Sequence, residues 1–164
     1  MLTPEGRRYS KTDLLNIATK LESAMKNYFT ALAEKFPAKR ELFIAFAEEE
    51  DEHIGLVSSL SNVGENNNEE ENIRIAEVMN VFEQNEVLHQ AAEGTKKVNE
   101  LRNVGEAMSL SSELKRIVEL FYCQIAGSFE PEDRKILYNL IVEEHQHRVQ
   151  VEEMADSATG EVEA

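Results

Sequence analysis

An all-α fold is what this sequence predicts, on three grounds. Helix-breaking residues are scarce, apolar residues recur at helical spacing along most of the chain, and one helical hairpin occurs twice. Seven glycines and three prolines in 164 residues leave few interruptions, while the strong helix formers Leu, Ala, Glu and Lys are abundant. The length suits a single domain, 1–164, able to bury a real core. The duplication shows in register: Glu50 lies thirteen residues after Pro37, and Glu144 lies thirteen after Pro131. Each proline closely follows an aromatic residue, Phe36 or Phe129. Upstream, LESAMKNYFTALA and LKRIVELFYCQIA share the pattern aromatic-x-x-(Leu/Ile)-Ala, beginning at Phe29 and Tyr122.

Each element follows in turn. Ser10-Lys11-Thr12-Asp13 has the form of an N-terminal cap, after which Leu14, Ile17, Leu21, Met25, Phe29 and Leu32 keep helical spacing until Pro37. A second helix is predicted from near Ala38, with Leu42, Phe46, Glu50, His53, Val57 and Leu60 on one stripe until Gly64 stops it. Asparagine and glutamate crowd residues 65–72, which predicts a solvated connection. A less regular segment, about 72–101, carries Ile73, Ile75, Val78, Val81, Phe82 and Leu88 and reads as a crossover to the other end of the bundle. A third helix spans about Glu106 to Gly127. The fourth starts with Pro131 in its first turn, where the missing N–H does no harm, and sets Leu137, Leu140, Glu144, His147, Val151 and Met154 at unbroken 3,4 spacing. The end of the chain, about 156–164 with the tail SATGEVEA, is expected to be disordered.

Two matched Glu-x-x-His pairs, Glu50/His53 and Glu144/His147, carry the chemistry. Residues three apart share a helix face, so each pair points a carboxylate and an imidazole at one place. The spacing alone is weak: about 0.7 such pairs are expected by chance at this glutamate content, and the chain has three. Phase decides. Glu50, His53, Glu144 and His147 lie where the apolar stripes face the core, and burying a carboxylate costs several kcal/mol unless it is paired or bound to metal. Glu22, next to Leu21 and one turn before Met25, reaches the same interior.

Charge narrows the partners. A formal net charge of -15 disfavours nucleic acid and anionic membranes, which demand basic surface. The one cysteine, Cys123, excludes a disulfide framework or a Cys-x-x-Cys metal module and reads as a buried small hydrophobe. With no signal-peptide core and no long apolar run, the chain reads as cytosolic, hence cytoplasmic.

These residues resemble the ferritin-like superfamily of rubrerythrin type. Its antiparallel four-helix bundles bind two irons with one Glu from each of two helices and a Glu-x-x-His from each of the other two. The resemblance covers about residues 12–155 and implies metal ligation by Glu22, Glu50, His53, Glu144 and His147, with one long crossover between helices two and three. Helix three departs from the pattern. Counting seven back from Tyr122, as from Phe29 to Glu22, lands on Lys115, and a protonated lysine repels a metal. Glu119, one turn later, is expected to substitute. A site with one metal, alone or beside a Lys–Glu ion pair, stays open.

Carboxylate and imidazole ligands suit iron or manganese, with zinc also compatible. The resemblance implies peroxide reduction or ferroxidation, with metal ions and peroxide or dioxygen as partners, and a homodimer. The four-cysteine rubredoxin-like module of full rubrerythrins is missing from this sequence, so electrons would come from another protein or from iron itself. A non-catalytic Zn or Fe protein, or a structural bundle that lost its chemistry, are the rivals. Glu86/His89 has no repeat partner and reads as a surface pair. His145 points about 160 degrees from His147 around the helix and is expected outside. Tyr28 and Tyr122 read as core aromatics.

Overall fold

The computed structural model describes residues 9–60, 69–84 and 94–160. Six α-helices make up the described chain: α1 Lys11–Lys35, α2 Arg40–Ser58, α3 Glu69–Gln84, α4 Gly94–Val98, α5 Val104–Ile125 and α6 Pro131–Gly160. No strand occurs among the described residues. α1 and α2 form one hairpin, α5 and α6 the other, and α1 lies against α5. This is the expected all-α, ferritin-like helical bundle.

Local chemistry sets the helix ends. Ser10 accepts the Asp13 N–H through its hydroxyl while Asp13 returns a bond of 2.7 Å to the Ser10 N–H, a capping box that satisfies two otherwise orphan donors. Pro37 opens a short 3-10 turn between α1 and α2. α2 ends at Ser58, earlier than the expected stop at Gly64, which lies outside the described residues. The hydroxyls of Ser58 and Ser59 take up the carbonyls of Ile54 and Leu56, offering the backbone partners other than a further helical turn. Asn103 caps α5 by accepting the Glu106 N–H at 2.8 Å. Pro131 begins α6 as predicted.

Three sequence expectations need correction. Among the described residues the crossover is largely helical: α3 begins at Glu69, inside the stretch predicted to be a solvated connection, with Glu69, Glu70 and Glu71 favourably placed at the positive end of the helix dipole. It packs against α1 and α5 and buries Ile75, Val78 and Met79, while Ile73 and Val81 stay exposed. α6 also continues to Gly160, through most of the expected disordered tail; residues 161–164 lie outside the described residues. Cys123 is exposed, not buried.

The core runs the length of the bundle, and Leu14, Phe29, Phe43, Phe121, Leu137 and Leu140 are fully buried. Each such side chain contributes about 1.5–3 kcal/mol. Phe29 anchors the centre, with ring centroids 5.3 Å from Tyr28 and 5.2 Å from Phe46. Among the described residues no helix is long and apolar enough to cross a membrane.

Candidate metal centre

Midway along this core, four side chains from three helices converge. Glu22 from α1, Glu50 and His53 from α2 and Glu144 from α6 are each at most 1 % exposed. Each offers one donor atom, and the four atoms lie within 4.8 Å of one another. His53 Nδ1 is the hub, 2.8 Å from Glu144 Oε1, 3.5 Å from Glu50 Oε2 and 3.6 Å from Glu22 Oε2. None of these approaches is aligned as a hydrogen bond: all four atoms are buried with no hydrogen-bond partner in the protein. Buried polar atoms are ordinarily satisfied. Four orphans facing one point are what a cation requires.

The other carboxylate oxygens are occupied. Tyr122 donates its hydroxyl to Glu22 Oε1 at 2.6 Å. Lys115, fully buried in α5, donates from Nζ to Glu50 Oε1 at 2.8 Å and to Glu144 Oε2 at 3.4 Å. Each carboxylate therefore turns one oxygen to a fixed donor and the other toward His53.

Burial governs the protonation of the metal-free cluster. It pushes the Glu22 carboxyl well above the usual range, reinforced by the charge of Glu144. Burial opposes ionisation of Glu50 too, but the Lys115 ammonium outweighs it and holds Glu50 below the usual range. His53 is raised far above an ordinary imidazole: burial opposes its charge, yet Glu144, Glu22 and Glu50 together prevail. Lys115 is likewise raised, because Glu144 and Glu50 overcome its desolvation. Without metal, burial and the neighbouring charges thus favour the protonated forms of Glu22, His53 and Lys115.

The rubrerythrin family model matches residues 13–155. The chain belongs to the rubrerythrin family. No curated protein and no solved structure gives a significant match. Within the matched span lie the buried Glu/His cluster and, from helix α5, the buried Lys115 that pairs with two of its carboxylates.

Two expected ligands stand apart from the four. His147 lies at the edge, 17 % exposed, its ring stacked 5.7 Å from that of His53. Its buried Nδ1 also has no hydrogen-bond partner, but it is not one of the converging donors. Burial, then the Lys115 charge, keeps the His147 imidazole below its ordinary pKa. Glu119 does not reach the centre, and the expectation that it substitutes for the missing glutamate is corrected. Its carboxylate is held at the periphery by Arg148 at 2.8 Å and His145 at 2.9 Å. A carboxylate beside an available guanidinium takes that pair instead of a desolvated site already holding three carboxyl groups. His145 is about half exposed, as expected. The Glu86/His89 pair lies outside the described residues.

Sequence reasoning missed Glu49 and Glu143. His53 Nε2 lies 3.0 Å from Glu143 Oε2, and His147 Nε2 lies 3.3 Å from Glu49 Oε2. Each histidine is thus paired across the bundle with the glutamate preceding the other half's inward glutamate. The signal was available, since both halves read Glu-Glu-x-x-His. Such outer carboxylates fix the imidazole tautomer and orient the ring. Tyr122 is more than a packed aromatic, because its hydroxyl holds Glu22; Tyr28 instead bonds the Ala107 carbonyl and Ser111, both at 3.0 Å.

Proposed function

We propose that this rubrerythrin-family protein is a non-haem iron oxidoreductase whose metal sits among Glu22, Glu50, His53 and Glu144 and reacts with peroxide or dioxygen, in peroxide reduction or ferroxidation. The observation that carries the reading is the set of four orphaned donor atoms within 4.8 Å in the bundle core. Three carboxylates and one imidazole form a hard-to-borderline donor set that suits Fe(II) or Mn(II) and admits Zn(II). Iron held by these residues would supply one electron per Fe(II) to the oxidant, and the second electron that reduction of peroxide to water needs would come from another protein or from further ferrous iron.

The chain's own residues prepare that chemistry. Loading requires the protons on His53 Nδ1 and on Glu22 to leave, so binding strengthens as pH rises. Glu143 accepts the His53 Nε2 hydrogen, which leaves the Nδ1 lone pair directed at the carboxylates. Tyr122 anchors Glu22 from the opposite side. Phe29 and Phe46 keep the surroundings apolar, so charge interactions inside are stronger than in water. Exposed Glu143 and half-exposed Glu49 mark the α2/α6 seam as the side from which a cation reaches the two histidines.

Protein purified without chelator should contain iron, and anaerobic Fe(II) loading followed by peroxide should yield stoichiometric Fe(III) absorbance that His53→Ala abolishes. Absence of bound metal in both preparations would overturn the reading. One observation favours a second reading, a metal protein without turnover: Lys115 already binds two of the three carboxylates. Metal bound with no peroxide-dependent oxidation would select it.

A further inference from the structure

We infer that the centre is built for one divalent cation, with the Lys115 ammonium serving as its permanent second cation; the inference rests on the metal-binding reading above. Geometry separates the two roles. On one side, Glu22 Oε2, Glu50 Oε2, Glu144 Oε1 and His53 Nδ1 are unpartnered and converge. On the other, Lys115 Nζ holds Glu50 Oε1 and Glu144 Oε2 at 2.8 Å and 3.4 Å. The two carboxylates that lie between the halves of the bundle therefore bridge a metal position to an ammonium. A second metal has no free carboxylate oxygen among these residues, since Tyr122 takes the remaining one from Glu22.

Charge gives the same count. Three carboxylates carry three negative charges, and one ammonium plus one divalent cation supply three positive charges. A second divalent cation would leave two positive charges uncompensated in a dry core, at a cost of several kcal/mol per ion. A lysine in place of a glutamate changes the local charge by two units, which is the charge of one divalent metal. Lys115 thus stands in for a cation and removes a ligand in a single substitution. His147 is left as an imidazole whose buried Nδ1 has no partner, beside an ammonium instead of a metal.

The test titrates Mn(II), and separately Fe(II) under anaerobic conditions, into metal-free full-length protein. One equivalent per chain is expected, and the Mn(II)-saturated protein should give the electron paramagnetic resonance spectrum of an isolated ion. Two equivalents, or a spectrum of exchange-coupled manganese, would overturn the count while leaving metal binding intact. No binding of either ion would overturn both. Lys115→Glu, refolded with Mn(II) present, should take two equivalents and show exchange coupling. A folded variant that still takes one shows that Lys115 does not set the count. Should this variant fail to fold, the resonance spectrum of the wild-type protein decides alone.

Discussion

The two hairpins of this bundle share one sequence pattern and meet the centre differently. In the first, α1–α2, Glu22, Glu50 and His53 are all fully buried and each keeps an unpartnered donor atom at the centre. In the second, α5–α6, only Glu144 does so; Lys115 stands seven residues before Tyr122, as Glu22 stands seven before Phe29, and His147 is partly exposed. The first hairpin contributes three of the four converging donors, and the second contributes Glu144 together with the Lys115 ammonium that pairs with Glu50 and Glu144. The difference teaches that hairpins of one pattern can meet buried carboxylates in different ways, because an ammonium pairs with carboxylates that a further carboxylate would repel.

The largest effect should come from removing that balance. Lys115→Met leaves Glu50 Oε1 and Glu144 Oε2 buried without their ammonium partner, and breaking a buried ion pair from one side costs about 3–5 kcal/mol. Denaturant unfolding in chelator should show this loss, whereas Glu22→Gln should cost far less there, since burial and the neighbouring charge of Glu144 already oppose ionisation of Glu22. Equal losses for the two variants would mean that the hairpins do not divide the roles in this way.

Metal-linked stability comes next. A ligand that binds only the folded state at 100 times its Kd adds about 2.7 kcal/mol. Fe(II) or Mn(II) should raise the wild-type melting temperature accordingly. His53→Ala should abolish the rise, while His147→Ala should retain most of it, because His147 is not among the four converging donors. If the two alanine variants lose the rise equally, the second hairpin binds metal as fully as the first.

The tyrosines sharpen the comparison on a smaller scale. Tyr122→Phe strands a fully buried Glu22 oxygen, a loss of about 1–3 kcal/mol. Tyr28→Phe should cost less, since the Ala107 carbonyl keeps a 2.7 Å bond from Ser111. Chemical denaturation of both variants measures the gap, and a larger loss at Tyr28 would contradict it.

Much of this was legible in the sequence. Phase pointed five donors inward, Glu22, Glu50, His53, Glu144 and His147, because a helix stripe defined by leucines and phenylalanines fixes which way its neighbours point; four converge, and His147 stops at the edge. The anomaly at Lys115 followed from counting seven residues. What could not be read was where Lys115 and Glu119 send their ends: both side chains are long, and the choice depends on Arg148, whose position is a tertiary fact. The order of α3 was also hidden. Its polar start reads as a loop, and only packing of Ile75, Val78 and Met79 against α1 and α5 makes it a helix.

Glu119 supplies the smallest and most direct check that the second hairpin has withdrawn its carboxylate from the centre. Burial alone would raise its carboxyl pKa, but hydrogen bonds from Arg148 and His145 outweigh burial and hold it below the ordinary range. A carboxyl whose folded pKa is depressed stabilises the protein above its unfolded pKa, about 4.3, and that contribution is lost as pH falls through the folded value. Glu119→Ala should therefore cost about 0.2–1 kcal/mol at neutral pH, the range of ion pairs near a surface. The gap between variant and wild type should close as the solution is acidified. Metal content should stay the same throughout, since Arg148 and not the bundle centre holds this side chain. A variant that loses metal in proportion to its stability would place Glu119 back among the ligands and restore to α5 the carboxylate that Lys115 has displaced.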